Sequence, residues 1–209
     1  MFEKRRKMVA EQIASRGISD PRVLAAMLKV ERHLFVPAAL QPVAYADEPL
    51  PIGKGQTISQ PYIVAYMTEA LRISPGDRVL EIGAGSGYQA AVLAEVVGPS
   101  GYVYSIESVP DLADSARERL AGLGYKNIDV IRGDGYKGLA EKAPFDAIIL
   151  TAAPPEVPKE LVAQLKEDGR MVAPVGSFFQ ELQLITRSGD GFTAKPLLPV
   201  RFVPMVRPG

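Results

Sequence analysis

The chain has 209 residues with 24 basic against 24 acidic side chains, and it has no cysteine, which excludes disulfides, thiolate metal sites and a cysteine nucleophile. A single histidine excludes a multi-histidine metal centre, and zero formal charge argues against a dedicated nucleic-acid binder. No apolar run approaches the roughly 18 residues of a membrane span, and basic Met1–Lys7 leads into mixed sequence without an apolar signal core.

Residues 3 to about 16 carry helical spacing, with Met8, Val9, Gln12 and Ile13 on one stripe and Gly17 as a stop. Asp20-Pro21 opens a second helix, aspartate at the cap and proline where its missing N–H costs nothing, with Val23, Leu24, Met27 and Leu28 as its apolar face. The prolines and glycines of 35–61 predict a long irregular segment with little room for regular elements, a type of loop that is often functional. A helix follows from about Pro61 to Leu71. From residue 78 strand and helix alternate: strands near 78–82, 102–106, 127–131, 145–150 and 169–174, helices near 87–97, 109–122, 135–141 and 158–165. Glu181–Thr186 and a run near 192–203 lack an intervening helix, so Gly189-Asp190-Gly191 should turn an antiparallel hairpin. The expected fold is α/β, a doubly wound, mostly parallel, Rossmann-like sheet of seven strands with N-terminal helices and a C-terminal antiparallel hairpin. One domain over 1–209 accommodates this, 1–75 supplying helices and a lid and 76–209 the ligand-binding core. A cytoplasmic monomer, contacting neither membrane nor nucleic acid, is the default expectation.

Strand 78–82 stops at Gly83-Ala84-Gly85-Ser86-Gly87 and enters a helix, whose unpaired N–H groups and positive dipole end favour an anionic ligand. The spacing is G-x-G-x-G, and Tyr88 stands where the dinucleotide fingerprint needs glycine or alanine. With Glu81 two residues before the first glycine, the pattern resembles the first motif of S-adenosylmethionine-dependent methyltransferases. Glu107 ends the second strand, where an acidic side chain can accept hydrogen bonds from both ribose hydroxyls. Asp134, within Gly133-Asp134-Gly135 at the end of the third, can accept from an adenine amine. The cofactor set read from these strand ends is Glu81, Gly83, Ala84, Gly85, Glu107, Gly133, Asp134 and Gly135. Strand four ends Thr151-Ala152-Ala153-Pro154-Pro155-Glu156, lacking both the polar handle before the prolines and the ring after them that base methylation uses. In Gly53–Pro61, Thr57 and Ser59 either face a ligand or merely cap the helix that starts near Pro61. His33 suits packing better than base catalysis.

Together these residues resemble the protein-L-isoaspartate (D-aspartate) O-methyltransferase family over nearly the whole chain. Carrying the resemblance are Met8–Ile13, Phe35-Val36-Pro37, Asp47–Gly53, Thr151-Ala152-Ala153, Pro174-Val175-Gly176 with Gln180-Glu181-Leu182, and Phe202-Val203-Pro204. Most specific is Gly55-Gln56-Thr57-Ile58-Ser59-Gln60-Pro61. Glu31, where the family commonly has proline, and Pro155 are departures that touch no expected contact. The resemblance implies a class I methyltransferase fold and methylation of the free α-carboxylate of L-isoaspartyl residues in damaged peptides and proteins. The ester then closes to a succinimide and returns some normal aspartate. It implies S-adenosyl-L-methionine as methyl donor, Ser59 as the active-site residue, Gln56, Thr57 and Ile58 beside the cofactor, and Ile58, Ser59, Val203 and Pro204 beside the peptide. Two other functions fit the same residues: O-methylation of another small carboxylate or hydroxyl, and nucleotide binding without catalysis.

Overall fold

A computed structural model describes residues 1–207. Helix α1 (Phe2–Lys7) continues as a π-helical stretch (Met8–Ile13) and a 3-10 turn (Ala14–Arg16) until Gly17 ends it. Met8, Val9 and Ile13 are buried, and Gln12 donates to the Tyr45 carbonyl at 2.9 Å. In α2 (Pro21–Lys29) the Asp20 carboxylate accepts the Arg22 N–H at 2.8 Å, the cap the sequence predicts. Its buried face is Val23, Ala26 and Met27, whereas Leu28, expected inside, is exposed. Positions 23, 26 and 27 share one helical stripe, and 28 lies a further 100° round the axis.

Residues 35–61 are more regular than expected. Strands β1 (Leu50–Gly53) and β2 (Gln56–Ile58) form an antiparallel hairpin whose turn, Lys54-Gly55, has positive φ at both residues. Such a turn matches strand twist, and a two-stranded ribbon tolerates Pro51 because both its edges lack a further partner. Helix α3 (Pro61–Leu71) starts and stops where predicted.

The main sheet contains β3 (Arg78–Ile82), β4 (Tyr102–Glu107), β5 (Ile128–Arg132), β6 (Phe145–Leu150), β7 (Leu165–Val175), β8 (Gln180–Ser188) and β9 (Gly191–Val200). Their spatial order is β5-β4-β3-β6-β7-β8-β9, parallel through β7 and antiparallel across the last two pairings. The chain runs outward from β3 to β5, then returns to β6 on the other side of β3. The carboxyl end of β3 is therefore the switch point, where ligands bind in such sheets. Alternation along β3 sends Val79 into a layer with α2, α3, α4 (Tyr88–Val97) and α5 (Pro110–Gly122). Leu80 and Ile82 face the opposite layer, with α6 (Lys159–Val162), Leu139 and Met171. Glu81 shares the face of Val79, between Ser105 on β4 and Ile149 on β6.

Two predicted helices shrink. The 135–141 element is two 3-10 turns, Gly135–Lys137 and Ala140–Lys142, separated by Gly138 at positive φ. The Gln164 side chain fills the break, bonding the Lys137 carbonyl and the Leu139 N–H. The 158–165 helix is only α6, because β7 begins at Leu165, four residues earlier than the spacing suggests.

Candidate active site

The turn after β3 is built around Gly83. Its φ is +103°, and a Cβ there would stand 2.3 Å from Thr151 Oγ1, so only glycine fits. Thr151, one residue beyond β6, donates to the Gly83 carbonyl at 2.6 Å and pins the turn to the neighbouring strand. Gly83 and Ala84 donate backward to the Ile106 carbonyl at 2.8 and 3.2 Å. The first turn of α4 then opens onto the cleft with N–H groups that have no partner within the helix. Tyr88, which breaks the dinucleotide pattern, turns away from β3. Its ring packs edge-on against Phe35 with centroids 5.4 Å apart.

Glu107, at the end of β4, is 6% exposed and crosses the mouth of the turn. One carboxylate oxygen accepts the Gly85 N–H at 2.8 Å and the other the Val109 N–H at 2.9 Å. Each oxygen keeps acceptor capacity beyond that one bond, and Glu107 lines the cleft. Asp134 caps the 3-10 turn after β5 by accepting the Tyr136 N–H at 3.0 Å, and pairs with Arg207 at 3.0 Å. Arg207 also lies over the Tyr136 ring, 4.5 Å from its centroid.

Glu81 lies beneath the turn rather than in the cleft. It is fully buried, one oxygen accepts the Ser105 hydroxyl, and the other, Oε1, has no partner. Burial pushes its carboxyl up to about 8, the Glu107 charge adds to this, and the Ser105 hydrogen bond opposes it. The folded chain thus holds a proton that the unfolded chain releases above its ordinary pKa of 4.5. Stability from the neutral group is complete below that value and is lost as pH rises through about 8, by at most about 1.4 kcal/mol per pH unit. In urea unfolding between pH ~5 and ~8, the wild type should lose stability relative to Glu81→Gln, which stays neutral throughout. A gap between the two that does not change with pH would refute a protonated Glu81.

The β1–β2 hairpin folds onto the turn. Ile52 reaches Gly85, where its Cδ1 comes within 3.3 Å of an added Cβ, and Lys54 at the tip pairs with Asp111 at the start of α5. From the opposite side the segment after β9 crosses the sheet edge. The Ala153 N–H donates to the Val203 carbonyl and the Met205 N–H to the Ala153 carbonyl, both at 2.8 Å. Met205 seats over Gly135, its Cε 3.1 Å from where a Cβ would stand. Hairpin and strap between them leave two adjoining depressions. One is lined by the glycine turn, Glu107, Gly135, Gln56, Ile58, Pro204 and Met205. The other, about 480 Å³, lies between Pro49, Gln60 and Ile63 on one side and Pro199–Phe202 on the other. Thr57, Ser59, Thr151 and Val203 line both.

Of the residues expected at the site, Gln56, Thr57, Ile58, Ser59, Gly83, Ala84, Gly85, Glu107, Gly135, Val203 and Pro204 converge on these depressions. Glu81 sits under their floor, and Gly133 and Asp134 line neither depression, Asp134 being paired with Arg207. Thr57 and Ser59 do not cap α3, whose cap position is Gln60 with no side-chain bond. His33 contacts the Tyr45 hydroxyl at 2.8 Å, remote from the cleft. Several lining residues were not among those expected at the site, including Ser86, Gln89, Ser108, Thr151 and Met205. Thr151 stands one residue past the end of β6, at the same edge as Glu107, and the sequence placed it at that strand end without assigning it to the site. Met205 carries no such signal, because only the strap's course brings it over Gly135.

S-adenosylmethionine fits these residues. An anionic carboxylate end suits the first turn of α4, and vicinal hydroxyls suit Glu107. Sheet order, glycine turn and Glu107 define a class I S-adenosylmethionine-dependent methyltransferase. Residues 3–208 match the model of the protein-L-isoaspartate(D-aspartate) O-methyltransferase family. The chain is 57% identical to the protein-L-isoaspartate O-methyltransferase of Methanoculleus marisnigri, covering 97% of this chain and 91% of that one. It is 53% identical to that of Ignicoccus hospitalis, covering 99% of both. A solved protein-L-isoaspartate O-methyltransferase superposes with a TM-score of 0.87 at 33% identity, covering 98% of this chain, which spans 65% of that longer one. A Plasmodium falciparum structure described as a beta-aspartate methyltransferase, in complex with S-adenosyl-L-homocysteine, gives 0.83 at 28% identity and covers 97% of this chain and 98% of that one. The chain belongs to the protein-L-isoaspartate (D-aspartate) O-methyltransferase family.

Proposed function

We propose that this chain methylates the free α-carboxylate of L-isoaspartyl residues in damaged peptides and proteins, with S-adenosyl-L-methionine as donor, and so starts their repair through a succinimide. The observation that carries this is the shared wall of Thr57, Ser59, Thr151 and Val203 between the cofactor cleft and the second depression. A group exchanged between ligands in the two spaces must pass these side chains.

When bound, the cofactor supplies an electrophilic methyl group on a sulfonium. The protein's part is seating, orientation and exclusion of water. Glu107 and the glycine turn hold one ligand, while the β1–β2 hairpin and the 203–206 strap cover it from two sides. Ser59 donates a hydrogen bond to the accepting carboxylate and fixes its angle of approach. Gln56, Thr57 and Ile58 hold the cofactor side of the wall, and Ile58, Val203 and Pro204 border the peptide.

The second depression contains no His, Asp or Glu, and its one charged lining residue is Arg201. A carboxylate is already ionised at neutral pH and needs no base, whereas a hydroxyl acceptor would. The lining therefore supports a carboxylate over a hydroxyl. We place the enzyme in the cytoplasm as a monomer acting on peptide and protein partners; no helix among the described residues is long and apolar enough to cross a membrane. The test is transfer of labelled methyl to paired peptides differing only in an isoaspartyl or aspartyl residue. Labelling should be confined almost wholly to the isoaspartyl form. Equal labelling, or cofactor binding without any transfer, would reject the assignment.

A further inference from the structure

The turn between β7 and β8 presents two adjacent phenylalanines to solvent, Phe178 at 100% and Phe179 at 96% exposure. Exposing one large apolar ring is common, but two side by side mark a contact surface. The backbone beneath them is held firmly. Gly176 donates to the Pro154 carbonyl at 3.0 Å, and its φ of +125° brings the turn back so tightly that a Cβ would lie 2.0 Å from the Phe179 carbonyl oxygen. At the other end the Gln180 side chain grips the Phe202 backbone twice, donating to its carbonyl at 3.1 Å and accepting its N–H at 2.6 Å. The rings thus project from an anchored turn at the carboxyl edge of the sheet, the edge that carries Ser59.

Beside them runs an open groove of about 860 Å³, lined by Phe178, Phe179, Phe202 and Pro204. It shares Pro199, Val200, Arg201 and Phe202 with the acceptor depression at Ser59. The two spaces are flanks of one segment. A peptide lying extended with its isoaspartyl carboxylate at Ser59 advances about 3.3 Å per residue, so a chain leaving along the shared Pro199–Phe202 segment reaches this groove within a few residues. Arg201, at the boundary, has no ion-pair partner among the described residues.

We propose that Phe178 and Phe179 form a subsite for a large apolar or aromatic side chain of the substrate polypeptide, on one side of the isoaspartyl residue. The proposal rests on the isoaspartyl activity proposed above. It makes this enzyme selective for damage in segments whose apolar residues have become exposed, as in locally unfolded protein, because in a packed core those side chains are not free to enter the groove.

The test uses isoaspartyl peptides with a single leucine or phenylalanine placed at each flanking position in an otherwise Gly/Ser background. They are compared on the wild type and on the Phe178→Ser, Phe179→Ser double variant. Peptide Kd in the presence of S-adenosyl-L-homocysteine is measured alongside kcat/KM. The wild type should prefer an apolar residue by about tenfold, the scale of one partly buried aromatic contact, at positions on one side only. The double variant should lose that preference in both readouts, with the all-Gly/Ser peptide and cofactor affinity unchanged. Equal Kd for apolar and Gly/Ser peptides on the wild type, with isoaspartyl methylation intact, would overturn the subsite and leave the activity standing. So would a preference that survives the double substitution, or a wild-type dimer that the double substitution disperses. No methylation of any isoaspartyl peptide would instead overturn the activity on which the subsite rests.

Discussion

Glu107→Ala should weaken S-adenosylmethionine binding by roughly two to four orders of magnitude while leaving turnover at saturating cofactor within a few-fold. The carboxylate is nearly buried and aligned by the Gly85 and Val109 N–H groups, so a ligand hydroxyl meets a fixed acceptor and loses little to reorganisation. A hydrogen bond to a charged group contributes about 1.5–3 kcal/mol, and a ribose offers two hydroxyls. Alanine also strands two backbone donors, which loosens the turn that seats the rest of the cofactor. Glu107→Gln keeps one acceptor oxygen and should fall between wild type and alanine. Titration calorimetry with S-adenosyl-L-homocysteine reads the effect directly, and an undiminished affinity for the alanine variant would remove Glu107 from the site.

What the sequence made legible and what it hid divide along a physical line. Strands β3 to β6 and helices α3, α4 and α5 were readable because periodicity, caps and glycine stops agree there, and each of their boundaries falls within a residue or so. The acidic strand ends at 81 and 107 were readable for the same reason, since a strand's end fixes where its last side chain stands. The sequence did not foretell that Glu81 would lie under the turn and Glu107 across it. That follows from alternation: Glu81 falls on the inward face, opposite Ser105, while Glu107 stands one residue past β3's last pairing with β4.

Long-range pairings account for the rest. Pro49, Pro51, Gly53 and Gly55 read as breakers, yet a ribbon with two free edges accepts them, and the expected loop is a hairpin with Ile52 resting on Gly85. Glu31, a departure from the family's usual proline, accepts Arg5 at 2.8 Å across 26 residues. Beside it Arg32 is wholly buried, its Nε donating to the Ala44 carbonyl at 2.7 Å and its guanidinium 5.1 Å from the Tyr88 ring. These contacts tie the N-terminal helices to the start of the hairpin segment and to α4. No local pattern in the sequence announces them, because each joins residues brought together only by the completed fold.

Ser59→Ala should lower kcat by roughly 10- to 100-fold while leaving S-adenosyl-L-homocysteine affinity and the thermal midpoint close to wild type. Ser59 follows β2, just after buried Ile58, and Gln60 is tied to the Asp47 carbonyl at 3.0 Å before α3 begins. The backbone on both sides is therefore fixed, yet among the described residues the Ser59 hydroxyl has no hydrogen-bond partner of its own. A donor held still and left free on the wall between two ligand spaces has no structural task to lose, which is why stability should not change. Its absence should instead let the accepting carboxylate swing, and misalignment of the attacking oxygen costs rate directly. Ser59→Thr, which keeps the hydroxyl, should recover part of the turnover. If alanine turns over as fast as serine on the isoaspartyl peptide, orientation of the carboxylate must come from elsewhere on that wall, with Thr57 and Thr151 the hydroxyls left to supply it.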